Sequence, residues 1–335
     1  MCTIESKKLS VIVPMYNVND TIRKCINSCY ELPENDVEII LVDDGSTDET
    51  PKICESFFSD MRIKYFKQKN KGVSAARNLG MSKAVGKYLF FLDADDTVDG
   101  NNLYQALLWT LANEIDLTQM SFKTIKKTKN FNNKFDKTYY NGNSDEFTEV
   151  LQQIKLNFVW GKFFKKEIID DRNIQFNLDM KYAEDYDLVL RFILQCRKIA
   201  VSKLNGYNYV NKGNGASGKF VRNLDYCNSV INDNLQILYN VYPMFRDSSI
   251  PIEIDVLQLY SGISELNNVY KKNSPYNYSK RINFIEQMLQ TKLSRKNITG
   301  GKYIRGRSNI IILRIVKIRI TFIIDLFLYF INYIK

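Results

Sequence analysis

Through the first hundred residues, short apolar runs alternate with stretches whose apolar residues recur at helical spacing. Leu9–Val13, Val37–Val42, Ile63–Phe66 and Lys87–Leu92 read as strands. Between the first two, Ile22, Cys25, Ile26 and Cys29 mark one face of a helix. After the second, Ile53, Cys54, Phe57 and Phe58 mark another, with Pro51 in its first turn, where a missing N–H is tolerated. Val73, Ala76, Gly80 and Ala84 then give a small-residue face, suited to close approach against a sheet. Strand–helix alternation of this kind predicts an α/β fold, a Rossmann-like mostly parallel sheet flanked by helices, with ligands at the carboxyl ends of the strands.

Beyond Gly100 a helix near Leu103–Ala112 and a strand near Asp116–Phe122 are legible, while the Lys/Asn-rich stretch Lys123–Asn143 reads as a loop or hairpin. Val189, Phe192, Ile193 and Cys196 mark a helix beginning near Glu184, and three glycines within Gly213–Gly218 read as a flexible loop. From about Phe220 only helical spacing remains, as in Ile231–Val241 and Ile252–Tyr270. A length of 335 residues suits about two domains of roughly 150 residues each. The expected organisation is a first domain over 1–217, with halves 1–100 and 101–217. A helical region over 218–291 and a basic amphipathic tail over 292–335 follow as a helical C-terminal extension.

Composition narrows the chemistry. The chain has no histidine, which removes imidazole bases, Ser-His and Cys-His nucleophiles and His-ligated zinc. Its six cysteines show no paired CxxC spacing and no signal peptide precedes the first strand, so buried free thiols and a cytoplasmic location are expected. The net charge of +10 is local: ten basic residues from Lys292 onward face a single acid, Asp325. A near-neutral body with a basic tail argues against nucleic acid as partner and for a surface that the tail alone touches.

Every informative polar cluster in the first half falls at the end of an expected strand: Pro14-Met15-Tyr16-Asn17, Asp43-Asp44-Gly45-Ser46, Asn70-Lys71-Gly72 and Asp93-Ala94-Asp95-Asp96. Any one alone reads as a cap or turn. Four on one sheet edge point to a polar ligand site. Asp93 and Asp95, two apart on an extended segment, address the same face. Oxygen-only ligands suit Mn2+ or Mg2+, which bind through one or two carboxylates and substrate phosphates and help a diphosphate to leave.

The runs VIVPMYN (11–17), VDDGSTDET (42–50), NKGVSAARNLG (70–80) and FLDADD (91–96) resemble, in order and separation, the nucleotide-sugar-binding half of the family 2 glycosyltransferases. The likeness continues more weakly through VWGKFFKKEII (159–169), AEDYDL (183–188) and YNYVNKGNGAS (207–217), which look like the acceptor half of bacterial polysaccharide and lipopolysaccharide transferases. The resemblance implies a GT-A fold and transfer of a hexose or N-acetylhexosamine from a UDP-sugar with inversion. It assigns Pro14, Tyr16, Asn17 and Asp43 to the base, with Asp44 as the turn anchor or the two acids in reversed roles. It places Arg77 on the nucleotide, Asp93 on the ribose or donor sugar, Asp95 on the metal, and Asp185 as the general base toward the acceptor hydroxyl. Asp96 and Asp187 lie near enough in sequence to share these roles, and Glu184, Trp160 and Lys162 are further substrate candidates. Capping for Glu184 and Asp185, core packing for Trp160, a solvated helix end for Lys162 and a plain ion pair for Arg77 are the competing readings.

Two other classes stand beside this one. A sugar-nucleotide pyrophosphorylase would want a glycine-rich phosphate loop after the first strand, which Pro14–Asn17 lacks; a non-catalytic partner of the same fold would not need both Asp95 and Asp185. In the tail, Arg314, Lys317, Arg319 and Asp325 interrupt the apolar residues, so no run of about 18 uncharged residues exists to span a bilayer. Arg307, Arg314, Thr321, Asp325 and Asn332 form a narrow polar stripe at helical spacing, broken by Arg319. Such a helix suits an anionic membrane interface. With the resemblance, this points to a peripheral protein on the inner face of the plasma membrane acting on an oligosaccharide or polyprenyl-diphosphate-linked glycan. The competing reading is a helix packed on the protein itself or on a second subunit.

Overall fold

The computed structural model describes residues 7–125, 137–140, 150, 153–210, 221–241, 254–271, 273–293, 321, 324, 325 and 328. The chain divides into two compact units, Met1–Leu178 with Glu184–Asn211, and Asp179–Ala183 with Lys212–Lys335.

The first unit is built on a nine-stranded mixed sheet. Strand β1 (Leu9–Met15) pairs in parallel with β2 (Val37–Asp43), in register Leu9 to Val37, and with β4 (Tyr88–Phe91); β2 pairs in parallel with β3 (Ile63–Lys67). β1 and β2 are buried at every position because both faces of the sheet are covered. Val11, Val13 and Met15 pack on helices α1 (Ile22–Ser28) and α2 (Thr50–Glu55). On the opposite face Ile12 meets α3 (Val73–Lys83), where a Cβ on Gly80 would stand 2.4 Å from Ile12 Cγ2. Ala76, Gly80 and Ala84 form the expected small-residue face; Val73 is 42% exposed and does not belong to it. Phe58 also departs from expectation: α2 ends at Glu55, which leaves the ring exposed against Tyr65.

Past β4 the pairing becomes mixed. A two-residue strand β5 (Thr97–Val98) leads into α4 (Gly100–Ala112), whose N-cap Asp99 accepts from the Asn102 N–H, and then β6 (Leu117–Ile125). The Lys/Asn-rich stretch holds the end of β6 and β7 (Lys137–Tyr140); the rest of it lies outside the described residues. Strand β8 (Lys162–Lys165), helix α5 (Lys166–Asp171), helix α6 (Glu184–Ile193) and the long strand β9 (Lys198–Val210) complete the unit. The sheet order is β3-β2-β1-β4-β8-β6-β9-β5, with β7 also on β9; β8 runs antiparallel to β4 and β6, and β5 and β7 antiparallel to β9. Pairing of Val98 with Tyr207 is what draws β9 against the acidic loop after β4.

The second unit contains helices α7 (Leu224–Val241), α8 (Ile254–Asn268) and α9 (Tyr278–Gln290), around a core that includes Leu266, Tyr270, Ile285 and Leu289. Ile324 and Leu328 of the tail belong to that core. Asp325, expected on the polar stripe of a membrane-lying helix, is instead buried, accepting from the Tyr270 hydroxyl at 2.6 Å and Arg281 Nε at 2.8 Å. Lys292 pairs with buried Glu265 at 2.5 Å. Thr321, another stripe position, is helical and half-buried, while Arg307, Arg314, Asn332 and the Gly213–Gly218 segment lie outside the described residues. Among the described residues no helix is long and apolar enough to cross a membrane, and Cys25, Cys29, Cys54, Cys196 and Cys227 are buried free thiols.

Candidate active site

The loops after β1 and β2 are stitched together by their own side chains. Asn17, at φ 51° in the left-handed region that asparagine tolerates, donates its N–H to Ser46 Oγ and accepts from the Thr47 N–H. Ser46 N–H donates to Asp43 Oδ1 at 2.8 Å, and the Tyr65 hydroxyl donates to Asp43 Oδ2 at 2.7 Å. Asp43 is fully buried, so the structure does not offer it to a nucleobase; it anchors the turn. Asp44 instead reaches the loop before α3, taking the N–H groups of Lys71 at 2.8 Å and Gly72 at 2.7 Å and Gln68 Nε2 at 2.7 Å. Gly45 between the turns needs its φ of 79°, and a Cβ there would lie 2.9 Å from the Asn70 nitrogen.

These loops enclose a cavity of about 330 Å3 lined by Pro14, Tyr16, Asp44, Asn70, Gly72 and Val73 among others. Its size suits a small ligand, and Tyr16 stands at it with 47% of its surface exposed. Ala76, on the first turn of α3, completes the wall. The next residue, Arg77, turns away into a carboxylate cluster. Its guanidinium donates to Asp93 Oδ1 at 3.0 Å and Asp185 Oδ1 at 2.7 Å, and Glu184 lies 3.9 Å away. Arg77 is buried and its charged form is favoured by these acids. Burial pushes the Asp185 carboxyl up to about 6, against the pull of Arg77.

Asp93 and Asp95 are half-buried at the end of β4. Asp96 is not presented to a ligand: it accepts from the Tyr207 hydroxyl at 2.7 Å and the Val210 N–H, and burial raises its carboxyl to about 7. The same Tyr207 oxygen accepts the Asp93 N–H at 3.3 Å, so β9 clamps the acidic loop from behind. Trp160 is also structural, its ring stacked with Phe158 at 3.7 Å and Tyr207 at 4.5 Å between centroids. Lys162 is fully buried, donates to the Phe158 carbonyl at 2.6 Å and lies over that ring, and burial depresses its ammonium well below the usual value, so it is not the solvated helix end of the competing reading. Asp187 is buried against Arg191 at 2.6 Å, which leaves Asp185, bonded to Arg77, and the more distant Glu184 as the acids of α6 on the site side. Tyr65 and Tyr207, neither assigned a role from sequence, hold the two acidic loops in place. Tyr65 lies on an expected strand and Tyr207 in the run 207–217, but hydroxyl partners are invisible to periodicity.

Residues 10–172 match the model of Glycosyl transferase family 2. The chain is 26% identical, over an alignment of 351 positions covering 95% of both proteins, to an uncharacterized glycosyltransferase, EpsJ, of Bacillus subtilis (strain 168). It is 28% identical to a poly(ribitol-phosphate) beta-glucosyltransferase of Bacillus spizizenii over 62% of this chain and 33% of that one. In structure it is similar to S. aureus TarS 1-349 in complex with UDP-GlcNAc, with a TM-score of 0.61, 18% identity and coverage of 96% of this chain and 89% of that one, which shows a shared fold.

Proposed function

The chain belongs to the family 2 glycosyltransferases and has the GT-A fold, and from that premise we propose that it transfers a hexose or N-acetylhexosamine from a UDP-sugar to a hydroxyl of a cell-surface polysaccharide acceptor. The observation that carries this reading is the carboxylate cluster of Asp93, Asp185 and Arg77, one residue along α3 from the wall of the nucleotide-sized cavity. The relative that acts on poly(ribitol-phosphate) and the fold shared with a UDP-GlcNAc complex support the polymer acceptor and the UDP donor.

Asp44, Tyr16 and Asn70 line the nucleotide cavity, and Asp93, held by Arg77 beyond the cavity wall, is the acid we assign to the donor sugar. Asp185 takes the proton of the acceptor hydroxyl, whose oxygen attacks the anomeric carbon as the bond to UDP breaks, with inversion. Among the described residues no group of three or more acids or cysteines is placed to hold a metal unaided. Asp95, a half-buried carboxylate at the end of β4, is an oxygen ligand of the kind a hard cation takes, with the donor diphosphate supplying the rest of its coordination. Such an ion, Mn2+ or Mg2+, neutralises charge on the leaving group when bound. We propose further that the acceptor is lipid-linked and that the basic tail keeps the enzyme on the inner face of the plasma membrane.

Asp185→Asn tests the assignment. UDP binding should persist while the rate of transfer falls by about 10²–10⁴, the usual worth of a general base. Transfer at the normal rate would remove Asp185 from the mechanism. Because the base must be ionised, the wild-type rate should rise with pH through about 6.

A further inference from the structure

Arg77 is 4% exposed, and both terminal nitrogens of its guanidinium are engaged by the protein. Nη1 donates to Asp185 at 2.7 Å, Nη2 donates to Asp93 at 3.0 Å, and Nε is buried without a hydrogen-bond partner. The Phe176 ring packs 5.3 Å from its central carbon. A planar fork with donors on two arms can bridge two carboxylates in fixed directions, which a lysine ammonium, a single point charge, does not reproduce. Asp93 comes from the loop after β4 and Asp185 from the start of α6, segments some ninety residues apart in sequence. In the proposed reaction one belongs to the donor and the other to the acceptor.

We propose that Arg77 is a positioning residue and not a nucleotide contact: it ties the acceptor-side base Asp185 to the donor-side Asp93, holding the base ionised and aimed at the sugar. This rests on the function proposed above. Four charged groups face Asp185: Arg77 from α3, Glu184 on its own helix, Asp93 from the β4 loop, and Lys162 from β8. Burial, Glu184 and Asp93 all oppose its ionisation, and Arg77 is the largest influence that favours it. Removing Arg77 leaves burial and the two acids offset only by the hydrogen bond from the Val159 backbone and the more remote Lys162.

The test is the titration of the Asp185 carboxyl by carbon-13 NMR, assigned with Asp185→Asn, together with UDP binding by calorimetry. In Arg77→Gln the titration should move to higher pH by about 1–3 pH units, the usual influence of an adjacent arginine, while UDP binds as in the wild type. An unmoved titration, or lost UDP binding, would overturn the proposal. Should Arg77→Gln fail to fold, Arg77→Lys carries the test: the charge keeps the titration near wild type, but the lost bridge lowers kcat for UDP release from the donor. Wild-type kcat in Arg77→Lys overturns the positioning role. If Asp185→Asn itself transfers sugar normally, the base assignment fails while the titration result still stands or falls alone.

Discussion

The two adjacent acids after β2 show how a single residue divides structure from chemistry. Asp43 points back into the turn and Asp44 forward to the α3 loop, because successive side chains leave an extended segment on opposite sides. Asp44 is therefore both cavity wall and clamp. Asp44→Asn keeps the shape but replaces one charged acceptor by an amide N–H facing backbone donors. A hydrogen bond to a charged group contributes about 1.5–3 kcal/mol, so the variant should unfold at lower urea and bind UDP more weakly in calorimetry. Stability and UDP affinity equal to wild type would mean that the clamp is dispensable. That Asp43–Ser46 was a site loop was legible in the sequence; which acid faced the ligand was not, since it depended on Tyr65 and Gln68, contributed by β3 and the loop beyond it. Trp160 and Lys162 mislead for a related reason. A tryptophan and a lysine in a motif look available to a sugar or phosphate, and only three-dimensional packing reveals their occupied faces.

At the level of elements, α3 is the piece that couples packing to the site. One helix carries Val73 and Ala76 at the cavity, Arg77 at the carboxylates and Gly80 against the central strand. Gly80→Val would drive a branched side chain into Ile12 and Val42, which are themselves β-branched and fixed in β1 and β2. Overpacking costs up to about 3 kcal/mol, and a tilt of α3 displaces Arg77. The urea midpoint and the transfer rate should fall together; a stable but inactive variant would show that α3 moves without strain. The parallel elements were legible because β1–β4 and their helices are continuous apolar patterns with short connections. Strands β8 and β9 were not, because KFFK reads as part of a helical run and β9 lacks a period-two pattern, with four buried positions running into exposed Lys203 and then Gly206. Their pairing is set by distant partners rather than by local periodicity.

Over the whole molecule, the basic tail has two parts with different physics. Ile324, Asp325 and Leu328 are built into the helical unit, so deleting residues 292–335 would strip Leu293, Ile324 and Leu328 from its core and release Arg281 and Glu265 from their partners. Asp325→Ala alone should destabilise that unit by about 3–5 kcal/mol, because it breaks a largely buried pair by removing the carboxylate that balances the Arg281 charge. A truncation that loses membrane binding would then report unfolding as readily as lost charge. Replacing Lys302, Arg305 and Arg307 by glutamine removes three charges and none of these described contacts. Each basic residue at an anionic surface contributes about 1 kcal/mol, so the triple variant should bind anionic liposomes roughly a hundredfold more weakly at low salt while its urea midpoint stays unchanged. Wild-type binding to those liposomes should weaken as salt rises. Equal binding by the triple variant would place the tail's role in folding of the helical unit alone and leave the proposed membrane attachment without its charge.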